Sequence, residues 1–168
     1  MSKNPKRKGN FNENLISKKL GEWIFKDKGA LQRHQTSGAI KDLNYNGDIV
    51  PIKIEAINWK YFPFLIEVKI GYKSNIPNLN NQTIIRKWID KANSEKTEKQ
   101  YILWLIIRFH GYASLLITDI PVNHINAPLI LNHNNIFYYI YNFEELLNND
   151  FYKLYDNNEK LKNEVFEI

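Results

Sequence analysis

The stretch Phe64-Leu65-Ile66-Glu67-Val68-Lys69-Ile70 decides how the rest of the chain is read. Its apolar and β-branched residues spell a buried strand, yet it holds a carboxylate and an ammonium two positions apart. Alternate residues of a strand share a face, so Glu67 and Lys69 stand on one side, about 6.6 Å apart along the strand. A charge on a core strand is costly unless it is paired or bound to a metal. Two readings fit: the solvated face of an edge strand, or a pair of charges gathered at a site. Glu-x-Lys alone does not choose between them.

Upstream residues shift the balance. Gly47-Asp48-Ile49 precedes the alternating segment Ile52-Lys53-Ile54-Glu55-Ala56-Ile57, which reads as a neighbouring strand with Asn58-Trp59-Lys60-Tyr61 as its turn. An acid, a hairpin-sized gap and then Glu-x-Lys can converge on one divalent cation with a lysine beside it. On these residues the chain resembles the PD-(D/E)xK nuclease superfamily, with Asp48, Glu67 and Lys69 as the signature. Gly47 stands where the signature has proline, a departure that many members tolerate. Glu55 is the alternative metal carboxylate if the hairpin register differs.

The front of the chain extends the likeness. Phe11, Leu15, Ile16, Leu20, Trp23 and Ile24 recur at helical spacing, predicting a helix over 12–25 that Lys28-Gly29 ends. Glu13 then falls in a first turn, where the helix dipole favours an acid. Gly9-x-x-x-Glu13, with Lys6, Arg7 and Lys8 before it, resembles the opening of archaeal-type Holliday junction resolvases and related phage nucleases. That resemblance implies that Glu13 reaches the metal site through water and that the basic residues meet phosphate. A cluster of oxygen ligands suits Mg²⁺, which keeps several waters, with Mn²⁺ as a possible substitute. The resemblance also offers the Val68 carbonyl as a third ligand.

Several further residues join the candidate nucleic-acid surface. Arg33, His34, Ser37 and Gly38 lie in a polar stretch ahead of the first acid, loosely like the Ser/Gly loop of resolvases and equally like an ordinary turn. Lys73 comes just after the Glu-x-Lys strand. Gln82 opens a second amphipathic helix marked by Ile84, Ile85, Trp88, Ile89 and Ala92, with Arg86 and Lys87 on it. Tyr101 to Ile107 is the most apolar run and predicts a central strand, with Ala113 to Ile117 as its hairpin partner. Pro121 and Pro128 interrupt the pattern beyond it, Ile136 to Tyr141 reads as a last strand, and a helix begins near Asn142 with Leu146 and Leu147 inward.

Composition bounds the function. At 168 residues, 43% hydrophobic, the chain is long enough for a real core. It has no cysteine, which excludes disulfides, zinc ribbons and thiol catalysis. No apolar run approaches a membrane span, and the basic start is not followed by a signal-peptide core; the absence of cysteine fits an intracellular protein. Residues 1–41 hold ten Lys/Arg against three Asp/Glu, while residues 144–168 hold seven acids against three lysines. A basic front suits a polyanion. There is no P-loop, no Gly-x-Ser-x-Gly elbow and no helical zinc spacing.

The expectation is an α/β protein with a restriction-endonuclease-like αβββαβ core, its mixed sheet flanked by helices. A basic flexible arm (1–9) would precede a single domain (10–168), with the core at 10–118 and a C-terminal strand and helix extension at 119–168. The resemblance implies a Mg²⁺-dependent DNA endonuclease with catalytic Glu13, Asp48, Glu67 and Lys69, acting as a Holliday junction resolvase and homodimer. A repair, nicking or restriction-type endonuclease on the same scaffold is the alternative, and a non-catalytic nucleic-acid-binding module is the other.

Overall fold

Ile102–Arg108 (β4) buries every residue but its last, and the sheet is built outward from it. The protein is represented here by a computed structural model, which describes residues 5–34, 45–52, 59–70, 82–108, 113–125 and 129–165. Phe64–Ile70 (β3) lies parallel to β4 in unbroken register, Phe64 opposite Ile102 and Ile70 opposite Arg108. A parallel pair needs a crossover, and the helix Gln82–Glu95 (α2) falls between the two strands in the chain. On the far side of β3 come Ile49–Pro51 (β2) and Leu31–Arg33 (β1), both antiparallel to their neighbours. Beyond β4 lie Leu115–Thr118 (β5), Ile136–Asn142 (β7) and, at the edge, Leu129–His133 (β6). The mixed sheet thus runs β1-β2-β3-β4-β5-β7-β6. Helices flank it, and the order is that of a restriction-endonuclease-like α/β fold.

Strand alternation divides the core in two. Phe64, Ile66 and Val68 of β3 join Ile102, Trp104 and Ile106 of β4 under the first helix, Pro5–Phe25 (α1), whose Ile16, Leu20, Trp23 and Ile24 are buried. Leu65 joins Leu103, Leu105 and Ile107 on the opposite face, covered by Ile85, Ile89 and Ala92 of α2. That i, i+4, i+7 spacing is what an amphipathic helix needs to cover a sheet. Glu67 and Lys69 share the alternation of Leu65 and therefore lie on the α2 face, at the open end of the strand.

The C-terminal third completes the first of these cores. Asn142 caps Phe143–Leu147 (α3) and Asp150 caps Phe151–Leu154 (α4), each side chain accepting from two amides of its first turn. Phe151 meets Trp23 edge-on at 5.2 Å, and Tyr155 stacks beside Trp104 at 6.4 Å. A π-helical turn, Leu161–Val165, buries both its ends. The described residues between 119 and 165 therefore pack together with the αβββαβ elements.

Three expectations change, and a fourth falls largely outside the described residues. The first helix begins at Pro5, so residues 5–9, expected as an arm, form its opening turns; proline's fixed φ suits that position. Glu13 accordingly sits more than two turns in, where the dipole has faded. The strand beside β3 is Ile49–Pro51, directly after Asp48, whereas the one expected at 52–57 falls largely on residues 53–58, which, with Glu55, lie outside the described residues. β6 is an additional strand: Pro128 reads as an interruption, but a two-residue turn at Asn134-Asn135, both at positive φ (54° and 63°), pairs β6 with β7. Among the described residues no helix is long and apolar enough to cross a membrane.

Candidate active site

The site begins with how Asp48 is delivered. Its amide donates to the Ile66 carbonyl at 2.8 Å, its carbonyl accepts from the His34 amide at 2.8 Å, and its Oδ2 accepts from the Val68 amide at 2.8 Å. The carboxylate thus serves as a main-chain acceptor would, continuing the β2–β3 pairing one step past the end of β2. Gly47 makes this possible. Its φ is +99°, and a Cβ there would lie 2.7 Å from the Ile66 carbonyl oxygen. Proline, held near φ −65°, cannot adopt that turn, which explains why the signature's proline is absent.

Gln100 holds the same segment from behind. This fully buried side chain accepts from the Asn46 amide at 2.7 Å and donates to the carbonyls of Asn46 at 2.9 Å and Phe64 at 3.1 Å. Both main-chain groups of the residue two before Asp48 are thereby fixed to the sheet. No sequence pattern distinguishes this glutamine from one in a charged loop.

Lys69 closes the constellation. Its Nζ lies 2.5 Å from Glu67 Oε2 and 3.7 Å from Asp48 Oδ2. The Glu67 side chain is only 5% exposed. Burial raises its pKa above the usual carboxylate value and the Asp48 charge raises it further, while the Lys69 hydrogen bond opposes both. Glu13 enters from α1, on the other side of the sheet. Its pKa is also raised, chiefly by burial and then by Asp48, with Arg33 and Lys69 pulling it down. Arg33 Nε stands 3.9 Å from Glu13 Oε2. Asp48, Glu67, Lys69, Glu13 and Arg33 thus act on one another electrostatically.

The other candidates divide. The His34 ring approaches the Gly47 carbonyl at 3.1 Å through Nδ1, which must carry the proton there, so the ring supports the Asp48 turn. Lys6, Arg7, Lys8 and Gln82 lie on helices, but their side chains are outside the described residues, as are Ser37 and Lys73 altogether. Arg108, not singled out from sequence, ends β4 beside β3 and donates to Asn12 at 3.3 Å, one residue from Glu13.

Among the described residues no three His, Asp or Glu side chains are drawn together tightly enough to hold a metal ion unaided. The donor chemistry nonetheless fits a hard cation. Three carboxylates (Glu13, Asp48, Glu67) gather with the cationic side chains of Lys69 and Arg33, and Lys91 also acts on Glu67. Burial and mutual repulsion raise the proton affinity of two of these acids, and a divalent ion relieves both causes. The three carboxylates offer oxygen donors, which suits Mg²⁺.

Residues 4–161 match the model of a family described as "Phage putative PDDEXK endonuclease". The chain belongs to this family. The match spans both the αβββαβ elements and nearly all of the C-terminal segment, in keeping with their shared core. No curated protein and no solved structure matches the chain. Family membership implies a nuclease, and with it a nucleic-acid partner.

Proposed function

We propose that this protein is a Mg²⁺-dependent endonuclease that hydrolyses DNA phosphodiester bonds at the Asp48–Glu67–Lys69 site. The observation that carries the reading is the position of Lys69 Nζ, 2.5 Å from Glu67 and 3.7 Å from Asp48 at the open end of β3. Asp48 and Glu67, with the Val68 carbonyl, are the groups that would hold the ion. When bound, Mg²⁺ polarises the phosphate and lowers the pKa of a coordinated water.

The protein's own groups account for the remaining steps. Lys69 Nζ orients the attacking water and donates to the non-bridging oxygens as their charge grows. Glu67, buried and hydrogen-bonded to Lys69, fixes where that ammonium stands. Glu13 accepts a hydrogen bond from water on the α1 side, and Arg33 beside it offers a guanidinium to a flanking phosphate. The basic residues of the first turns of α1 add attraction for the backbone that carries no sequence preference.

For the substrate we favour branched DNA, a four-way junction cut by a homodimer, because opposed strands are cut symmetrically when two sites share a two-fold axis. Such an enzyme acts inside the cell, where the DNA is. The test is cleavage of four-way, flap, nicked and linear DNA with Mg²⁺ and then with EDTA. Cleavage should need the cation, favour the junction, and disappear in Asp48→Ala, Glu67→Ala and Lys69→Ala while binding persists. Full activity in any of the three variants overturns the site assignment. Preference for linear or nicked DNA replaces the resolvase with a restriction-type or repair enzyme, and binding without cutting leaves a recognition module.

A further inference from the structure

Residues 120–143 contain no Asp, Glu, Lys or Arg, in a chain that is 24% charged. Within it, Leu129–His133 and Ile136–Asn142 form the β6–β7 hairpin, the outermost pair of the sheet. Large apolar side chains are exposed on it: Leu129 at 58%, Ile130 at 56%, Ile136 at 46% and Phe137 at 55%. Leu131 and Tyr138 of the same strands are buried with α2, so by alternation Ile130 and Phe137 stand on the face that α2 does not cover. Asn132 and Phe137 are cross-strand partners, as are Ile130 and Tyr139.

Among the described residues no strand pairs with the outer side of β6. With a two-residue turn the closing pair, His133 and Ile136, exchanges both main-chain hydrogen bonds. Alternation then turns the N–H and C=O groups of Ile130 and Asn132 away from β7, toward the outside of the sheet. Soluble proteins guard such edges with lysine, proline or a bulge. Between Leu129 and His133 none of the residues is Lys or Pro, and the pairing with β7 is continuous.

We propose that β6 is a self-association surface, pairing antiparallel with β6 of a second copy across a two-fold axis. The chain carries a net charge of +5, so two copies repel over much of their surface, and the uncharged hairpin is where they approach without that cost. The same lack of cations makes it a poor seat for nucleic acid. A pairing centred on Leu131 sets Ile130 opposite Asn132 of the second copy in both directions. That register makes about four main-chain hydrogen bonds and brings the exposed Ile130 side chains to the joint. It also supplies the two-fold axis that junction cutting requires, but it rests on the hairpin and not on the nuclease reading.

The test is sedimentation equilibrium of the full chain, without DNA, from 1 to 200 µM. The wild-type protein should sediment as a dimer over the upper part of that range. Ile130→Lys sets two ammonium groups at the joint, and Asn132→Pro removes an outward amide; each should weaken association at least a hundredfold with an unchanged circular dichroism spectrum. If either variant fails to fold, hydrogen exchange of the wild-type protein decides, since the Ile130 and Asn132 amides should gain protection as concentration rises. A monomer throughout, dimers in both folded variants, or concentration-independent exchange at those amides each overturns the proposal. Because mass is read without cleavage, an inactive dimer would count against the nuclease alone.

Discussion

Replacing Gln100 with leucine tests whether the support behind Asp48 matters as much as Asp48. Leucine has similar bulk and no polar atoms, so the packing is largely kept and three hydrogen bonds, at 2.7, 2.9 and 3.1 Å, are lost. Each bond contributes about 1 kcal/mol net, and a stranded buried partner adds about 1–3 kcal/mol. Water can reach the Asn46 groups if the segment lifts, so the total should be roughly 3–5 kcal/mol, a large part of the roughly 5–15 kcal/mol of a typical domain. Urea unfolding of both proteins measures it. Lifting residues 45–47 also loosens Asp48, so kcat should fall about tenfold or more, with DNA affinity unchanged because Gln100 touches no substrate.

Gln100→Glu separates the hydrogen bonds from the volume. A carboxyl can donate to one of the two carbonyls, and only while protonated, so its folded pKa must rise above the unfolded value of about 4.3. Its stabilising contribution is then complete below about pH 4.3 and is lost as pH rises through the folded pKa. The variant should therefore recover all but one of the wild-type hydrogen bonds at pH 4, standing between wild type and Gln100→Leu in stability, and resemble Gln100→Leu at pH 8. Unfolding within about 0.5 kcal/mol of wild type, together with wild-type cleavage by Gln100→Leu, would show the reasoning to be wrong.

Three further outcomes are expected. Mg²⁺ or Ca²⁺ should raise the melting temperature, by about 2.7 kcal/mol of stability at a hundred times Kd; differential scanning fluorimetry reads this, and an equal shift in Asp48→Asn would remove Asp48 from the binding set. Glu67→Gln should abolish cleavage yet melt higher than wild type at pH 8 without divalent ions. The raised pKa of Glu67 means its ionisation costs stability as pH climbs through the folded value, so the gain should vanish near pH 4, and a lower melting temperature at pH 8 would contradict the sign. Gly47→Ala should cost about 1–3 kcal/mol for the backbone conformation alone, more with the 2.7 Å contact to Ile66; a variant as stable as wild type would mean that the turn can be made another way.

Where neighbours in sequence remain neighbours in space, the chain can be read directly. The apolar runs at β3 and β4 and the helical spacing of α2 name their elements because each buries a regular stripe. Glu67 and Lys69 share a face by strand geometry alone. That Asp48 meets them depends on the antiparallel pairing of Ile49 with Ile66, a long-range register that local pattern does not encode. The same limit hides Gln100, whose partners lie 54 and 36 residues away. β6 is illegible for another reason: Asn134-Asn135 is a turn dipeptide, but Pro128 just ahead has the look of a breaker.

The aromatic joint between the first helix and residues 151–155 bears on synthesis. Trp23, Phe64 and Trp104 finish their packing against Phe151 and Tyr155, which are made well after them. At about 5–20 residues per second, the first helix waits several seconds before these rings can cover it. A nascent chain that already holds Glu13, Asp48, Glu67 and Lys69 therefore lacks the aromatic cover on that face of the sheet until residues 151–155 have been made.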